Sequence, residues 1–255
     1  MLELSIIIPT YNEETKINNT LRTIHNYLEK EAIVDYEVIV CDDGSLDSTV
    51  SIVKKYKQNW ENLILVENIH RGKAATVLSG LAKGQGKYLL FSDADLSASI
   101  EELPKMINPL KNSTAQITIA SREAKGSIRI DEPQIRHIMG RVFNIMVQIL
   151  LLRGIKDTQC GLKGFKRDVF HDILKRLYVY KDQNLEIVYP KVSAFDIEIL
   201  FIAKGLGYTI EEIPVKWTYF GDSKVHNIKD SYYNAVDVLK IWWANLKGAY
   251  NFETK

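Results

Sequence analysis

The chain has 255 residues, 46% of them hydrophobic and 25% charged, ordinary proportions for a globular protein with room for one large α/β core. Its 33 basic against 32 acidic residues give a net charge of +1, which excludes the basic footprint of a nucleic-acid binder. The 2 cysteines, Cys41 and Cys160, are too few for a disulfide framework and point to a reducing compartment.

Leu4–Pro9 reads as a buried first strand that Pro9 ends, because proline cannot donate to a ladder. Ile17, Leu21, Ile24 and Leu28 recur at helical spacing, which predicts a helix over Glu14–Glu31. Tyr36–Cys41 is a second buried strand, closed by the turn Asp42-Asp43-Gly44-Ser45, with Ser45 or Asp47 able to cap a helix through Tyr56. Leu63–Glu67 is a third strand, followed by a helix near Lys73. Tyr88–Phe91 is a fourth and Gln116–Ser121 a fifth, with Arg122 just beyond. Strands alternating with helices predict an α/β fold with a mostly parallel sheet flanked by helices, and in such sheets ligands sit outside the carboxyl ends of the strands.

At those ends stand Tyr11, Glu13, Asp42, Asp43, Lys73, Asp93, Asp95 and Arg122. Asp93 and Asp95 are spaced i, i+2, which puts both carboxylates on one side of an extended backbone, and the small Ala94 leaves room for a ligand. Hard oxygen ligands of that kind suit Mg²⁺ or Mn²⁺, usually held by one or two carboxylates plus substrate phosphates. The bland alternative is that acidic residues cap the next helix, near Ser99. No strand is followed by GxGxxG or GxxxxGK[ST], so neither a dinucleotide site nor a P-loop is supported. Lys73, at a helix start, either holds an anion or is simply solvated.

After Arg122 the chain turns locally basic, and Arg129 reads as part of a mobile loop. A helix fits Pro133–Leu152, with Ile135, Met139, Val142, Phe143, Met146, Ile149 and Leu150 broadly along one side. Its arginines are either solvated or, for Arg136 and Arg141, meet a phosphate at a membrane surface while the apolar side touches lipid. The apolar run Val142–Leu152 is interrupted by Asn144 and Gln148 and is too short to span a bilayer; no signal peptide is expected at Met1. Ile155–Asp168, with Gly161 and Gly164, reads as a tight loop or strand lining the site. Helices are predicted from Phe170 to Leu177 and from Ala194 to Gly207, with Asp196 near the start of the second as either a cap or a catalytic group. A strand broken at Pro214 follows. Lys224, His226 and Lys229 lie in a polar stretch able to reach anions, and an amphipathic helix carrying Trp242 and Trp243 closes the chain.

The stretches IIIPTYNEE, VIVCDDGSLDST, NIHRGKAATVLSG, FSDADLS, ASR, DTQCGLKGF, FDIEIL and VKW with a later GDSK, in that order over nearly the whole chain, resemble the inverting family 2 glycosyltransferases of the GT-A fold. Within that family the chain looks most like the dolichyl-phosphate glucosyltransferases and related polyprenyl-phosphate hexosyltransferases, with the mannose synthases next. The resemblance implies metal-dependent transfer of a hexose, glucose favoured, from a nucleotide sugar, UDP-linked rather than GDP-mannose, to a dolichyl or other polyprenyl phosphate. It implies a nucleotide-sugar pocket lined by Pro9, Tyr11 and Glu13, with Asp43 on the base, Asp42 in support, and Lys73, Asp93 and Ala94 near the sugar nucleotide. Asp95, assisted by Asp93, would bind the metal, Mg²⁺ or Mn²⁺. Arg122 would meet a phosphate, Arg136 and Lys224 the acceptor phosphate or the leaving group, and Arg141 the acceptor phosphate. Mannose synthases carry a glutamine as a further metal ligand where this chain has Ser97.

Were the acceptor a hydroxyl, Asp157 or Asp196 would be the base; a phosphate acceptor, with a second pKa of about 6, needs none. Residues 1–230 are expected to form the catalytic domain and 231–255 a helix packed on it or at a membrane surface. Relatives often carry membrane helices at one end and this chain shows none, so the expected location is cytoplasmic, peripheral to the cytoplasmic face of a membrane. Transfer to a glycan or soluble acceptor, and a non-catalytic GT-A scaffold, are the competing readings.

Overall fold

The computed structural model describes residues 2–181, 194–221, 227–250 and 252; Lys224 and His226 lie outside them, as does the side chain of Lys229. Nine strands and eight helices are described: β1 Leu4–Thr10, α1 Ile17–Lys30, β2 Tyr36–Asp42, α2 Thr49–Lys57, β3 Leu63–Glu67, α3 Lys73–Lys83, β4 Tyr88–Ser92, α4 Leu103–Lys111, β5 Ile117–Ser121, β6 Ile128–Ile130, α5 Gln134–Leu150, β7 Leu162–Lys166, α6 Arg167–Leu174, α7 Phe195–Gly205, β8 Ile210–Pro214, β9 Lys216–Thr218 and α8 Asn227–Leu246.

The main sheet runs β3-β2-β1-β4-β7-β5-β8. β1 is parallel to β2 and β4, β2 to β3, and β5 to β8, whereas β7 is antiparallel to both its neighbours. The sheet is therefore mostly parallel, and the Gly161–Gly164 region, left open between loop and strand, is the strand that joins its two halves. Strand alternation sorts the core onto two faces. Ile6, Ile8, Val38, Val40 and Leu90 pack with Ile17, Leu21, Ile24 and Leu28 of α1 on one face. Ile7, Ile39, Cys41, Leu89 and Phe91 pack with α3, α6 and α7 on the other, together with Val238, Ile241 and Ala244 of α8. Both cysteines are buried and unpaired.

Four sequence expectations are corrected. Pro9 does not end β1: Thr10 pairs with Asp42 and its carbonyl accepts from the Asp43 N–H at 2.9 Å. The side of Pro9 lacking an N–H thus faces β4, whose ladder with β1 stops at Ile7↔Phe91. Arg129 is not in a loop; β6 pairs parallel with β9, and the guanidinium is held by Glu123 and Glu132. The apolar residues of α5 do not lie on one side: Phe143, Met146 and Leu150 pack inward, while Ile135 and Ile149 are 73% and 77% exposed. The last helix begins at Asn227, not Ser231.

Candidate active site

The crevice forms where β1, β2 and β4 end and the chain turns to helix. Two loops there are sewn together by short polar side chains. The Asn12 N–H donates to Ser45 Oγ at 2.9 Å, the Leu46 N–H to Asn12 Oδ1 at 2.8 Å, and the Glu13 N–H to Thr49 Oγ1 at 2.8 Å. Asp42 is used up in this sewing, accepting from Thr10 Oγ1, Ser45 Oγ and the Ser45 N–H. Pro9, Tyr11 and Glu13 line the same rim, each partly buried.

Asp43 instead organises the turn before α3. Its carboxylate accepts from the N–H groups of Arg71 and Gly72, each at 2.9 Å, and meets His70 Nδ1 at 2.7 Å. The His70 ring lies on Tyr11 with centroids 4.1 Å apart and planes 9° apart. Gly72 sits at φ +89°, a backbone conformation that suits glycine, and it starts α3 so that Lys73 faces the crevice rim. Gly80 brings α3 close to the sheet, since a Cβ there would stand 2.6 Å from Ile7 and 2.7 Å from Cys41.

Lys73 Nζ pairs with Asp93 Oδ1 at 2.6 Å. Asp93 is further fixed by its N–H, which donates to the Gly161 carbonyl at 3.0 Å. Ala94 is buried and its carbonyl accepts from Thr20 Oγ1 of α1, anchoring the acidic triplet to the first helix. Asp95 accepts the Ser97 N–H at 2.9 Å through Oδ1. Leu96 follows at φ +50°, a strained position for a leucine. Helix capping does not account for the two acids: Ser99 Oγ accepts from the Glu101 N–H and caps the short 3₁₀ turn that leads into α4.

Among the described residues no three His, Cys, Asp or Glu side chains gather as a metal cage. Two carboxylates two residues apart, each engaged through Oδ1, nevertheless suit by their chemistry a cation such as Mg²⁺ or Mn²⁺ that draws its remaining ligands from substrate phosphates and water.

Arg122 and Asp157 form a second, more rigid element. Arg122 donates through Nε at 2.7 Å and through a terminal nitrogen at 2.9 Å to the two oxygens of Asp157, and its N–H adds a third bond at 2.9 Å. The guanidinium also lies over the Trp217 ring, 5.2 Å from its centroid. Burial alone would raise the Asp157 carboxyl, but the Arg122 charge and hydrogen bonds hold it down at about 2. A carboxylate so strongly paired is a poor proton acceptor, so Asp157 does not fit the role of base.

Asp196, in the first turn of α7, is buried and meets Lys163 Nζ at 2.7 Å. Burial raises its pKa while the Lys163 ammonium pulls it back. Farther along the rim, Arg136 sits over the Tyr219 ring at 5.0 Å, and Arg141 reaches the Lys156 carbonyl at 3.2 Å and Glu123 at 3.5 Å. The structure thus brings Tyr11, Glu13, Asp43, Lys73, Asp93 and Asp95 to one crevice, gives Asp42 a structural task, and leaves Lys224 outside the described residues. His70 and Lys163 were not singled out from the sequence. The glycines at 161 and 164 left their segment open between loop and strand, and the strand β7 carries Lys163.

A family model described as glycosyl transferase family 2 matches residues 5–174. Among curated relatives, dolichyl-phosphate beta-glucosyltransferases of Homo sapiens and Dictyostelium discoideum are 33% and 31% identical, each alignment covering 98% of this chain and 78% and 77% of the relative. Among solved structures, glucosyl-3-phosphoglycerate synthase from Mycobacterium tuberculosis, in complex with Mn²⁺, UDP and glucosyl-3-phosphoglycerate, matches with TM-score 0.66 at 17% identity over 95% of this chain and 80% of that one. The mannosyltransferase PcManGT from Pyrobaculum calidifontis, in complex with GDP-Man and Mn²⁺, matches with TM-score 0.61 at 19% identity, over 99% of this chain and 65% of that one. These likenesses establish the GT-A fold.

Proposed function

The chain belongs to glycosyl transferase family 2, and from that premise we propose that it transfers a hexose, glucose in preference, from a UDP-sugar to the phosphate of a dolichyl-type polyprenyl lipid, with inversion at the anomeric carbon. The relatives' names support the acceptor and the sugar. The observation that carries the reading furthest is the state of the carboxylates away from the acidic triplet. Asp157 is locked by Arg122 and is a poor base, and Asp196 is enclosed with Oδ2 ion-paired to Lys163 rather than open to an acceptor. A phosphate monoester acceptor requires none, because its oxygen is already ionised near neutral pH.

In this reading Tyr11 and the Asp43–His70 pair shape the base end of the pocket, and Lys73 turns from Asp93 to the diphosphate. Asp95 and Asp93 would hold Mg²⁺ or Mn²⁺, which supplies charge neutralisation to the departing diphosphate. One lone pair of the acceptor phosphate forms the new bond to the anomeric carbon as the bond to the diphosphate oxygen breaks. UDP leaves with that electron pair, and no proton moves.

The lipid half of the proposal rests on α5 and α8. Ile135, Ile138, Val142, Ile145 and Ile149 recur at intervals of three and four along α5 and are all at least half exposed, and Leu239, Trp243 and Leu246 recur with the same spacing, also exposed, on the adjacent α8. No helix of the described residues is long and apolar enough to cross a membrane. An outward stripe of this kind, beside Arg136 and Arg141, suits a helix lying in the lipid interface on the cytoplasmic face. The test is a panel of labelled UDP-glucose, UDP-N-acetylglucosamine and GDP-mannose with dolichyl phosphate and Mn²⁺. Organic-extractable label from UDP-glucose supports the proposal. Label transferred only to water-soluble products, or to none, overturns it.

A further inference from the structure

With a phosphate acceptor, the proposed chemistry leaves one buried acid without a task. Asp196 is 8% exposed, and while Oδ2 is taken by Lys163, Oδ1 is enclosed and has no hydrogen-bond partner among the described residues. An unpaired buried carboxylate oxygen is costly, and a fold retains one where a ligand supplies the donor. The neighbourhood is that of the donor. Lys73 and Asp93 are within electrostatic reach of Asp196, and the Phe91 ring has Lys73 Nζ at 5.7 Å and Lys163 Nζ at 5.8 Å from its centroid. Lys163 itself is 2% exposed, held by the Cys160 carbonyl as well as by Asp196, on the one strand that runs against its neighbours. A buried ammonium at that place orients the carboxylate and offsets part of the cost of its burial.

We propose that Asp196 is a specificity-determining residue whose Oδ1 accepts a hydroxyl of the transferred hexose, and that Lys163 is the positioning residue that holds it there. The inference rests on the UDP-hexose reading above and assigns the sugar end of the same site.

The test compares the full-length wild type with Asp196→Asn, Lys163→Met and Lys163→Arg, using Mn²⁺, dolichyl phosphate, and UDP-glucose beside its 2-, 3-, 4- and 6-deoxy analogues. In the wild type, removal of one particular hydroxyl should lower kcat/KM by ~10-fold or more. Asp196→Asn should show the same drop with UDP-glucose and no further drop with that analogue, while inhibition by UDP alone stays unchanged. Lys163→Met should copy this pattern and Lys163→Arg restore it; if Lys163→Met does not fold, Asp196→Asn carries the test. The inference is overturned if Asp196→Asn keeps the wild-type hydroxyl profile, if UDP inhibition weakens in step with kcat/KM, or if all donors lose equally, as for a lost base. Turnover with an unaltered profile removes this inference alone, whereas absence of any UDP-hexose turnover in the wild type removes the proposed function as well.

Discussion

Gly161→Ala should disable transfer while leaving the protein folded. The backbone there is not in the left-handed region, so alanine meets no conformational penalty of its own. Its Cβ, however, would stand 2.0 Å from Asp93 Oδ2 and 2.5 Å from Asp93 Cγ. Ordinary contact begins at 3.4 Å, so the carboxylate has to withdraw by more than an ångström or β7 has to shift. Either movement separates Asp93 from the Lys73 ammonium at 2.6 Å. A misplacement of about 1 Å at a reacting centre costs on the order of 100-fold. The assay is kcat/KM for label transfer from UDP-glucose to dolichyl phosphate, with thermal unfolding measured in parallel. Gly140→Ala is the control: a Cβ there meets nothing within 4 Å, so activity stays and helix stability rises by up to ~1 kcal/mol. Wild-type turnover in Gly161→Ala would show that the position of Asp93 does not matter and would refute the reasoning.

Asp157 contributes stability that depends on pH. Its folded pKa of about 2 lies below the ordinary 3.8, so about 2 kcal/mol is present above pH ~4 and disappears as the pH falls towards 2. Asp157→Asn should lack this acid-side loss in urea titrations and be less stable at neutral pH by ~3 kcal/mol or more, since it strands the Arg122 charge; an unchanged acid slope contradicts the pairing. Ile138→Glu combined with Ile145→Glu, on the outward stripe of α5, should reduce sedimentation with anionic liposomes at least ~10-fold while leaving the thermal midpoint within a few degrees; undiminished sedimentation moves the lipid contact elsewhere.

What the sequence revealed and concealed follows from its local patterns. The apolar runs of β1 and β4 are unbroken by charge and that of β2 holds four apolar residues after Glu37, so a buried parallel sheet and the crevice at its carboxyl end could be read directly. Asp93 and Asp95 stood out because they follow such a run without a gap. Asp42 and Asp43 did not divide by pattern: adjacent in sequence, they differ only in that Thr10 and Ser45 reach the first, while His70 and the turn before α3 reach the second. β7 stayed open between loop and strand because Gly161 and Gly164 also suit turns, and Lys163 in a strand reads as solvated unless its partner, 33 residues on, is known. The outward isoleucines of α5 could not be divided between core and lipid, since periodicity places residues on a helix face without saying which face the protein covers.

In the proposed function the donor diphosphate is held in the crevice through the carboxylates after β4. Calorimetric titration of UDP into the wild type and Asp95→Ala, with and without Mn²⁺, tests it most directly. The account predicts Mn²⁺-dependent binding in the wild type and its loss in Asp95→Ala, with both proteins unfolding at the same temperature. Equal, Mn²⁺-dependent binding in the two would contradict it.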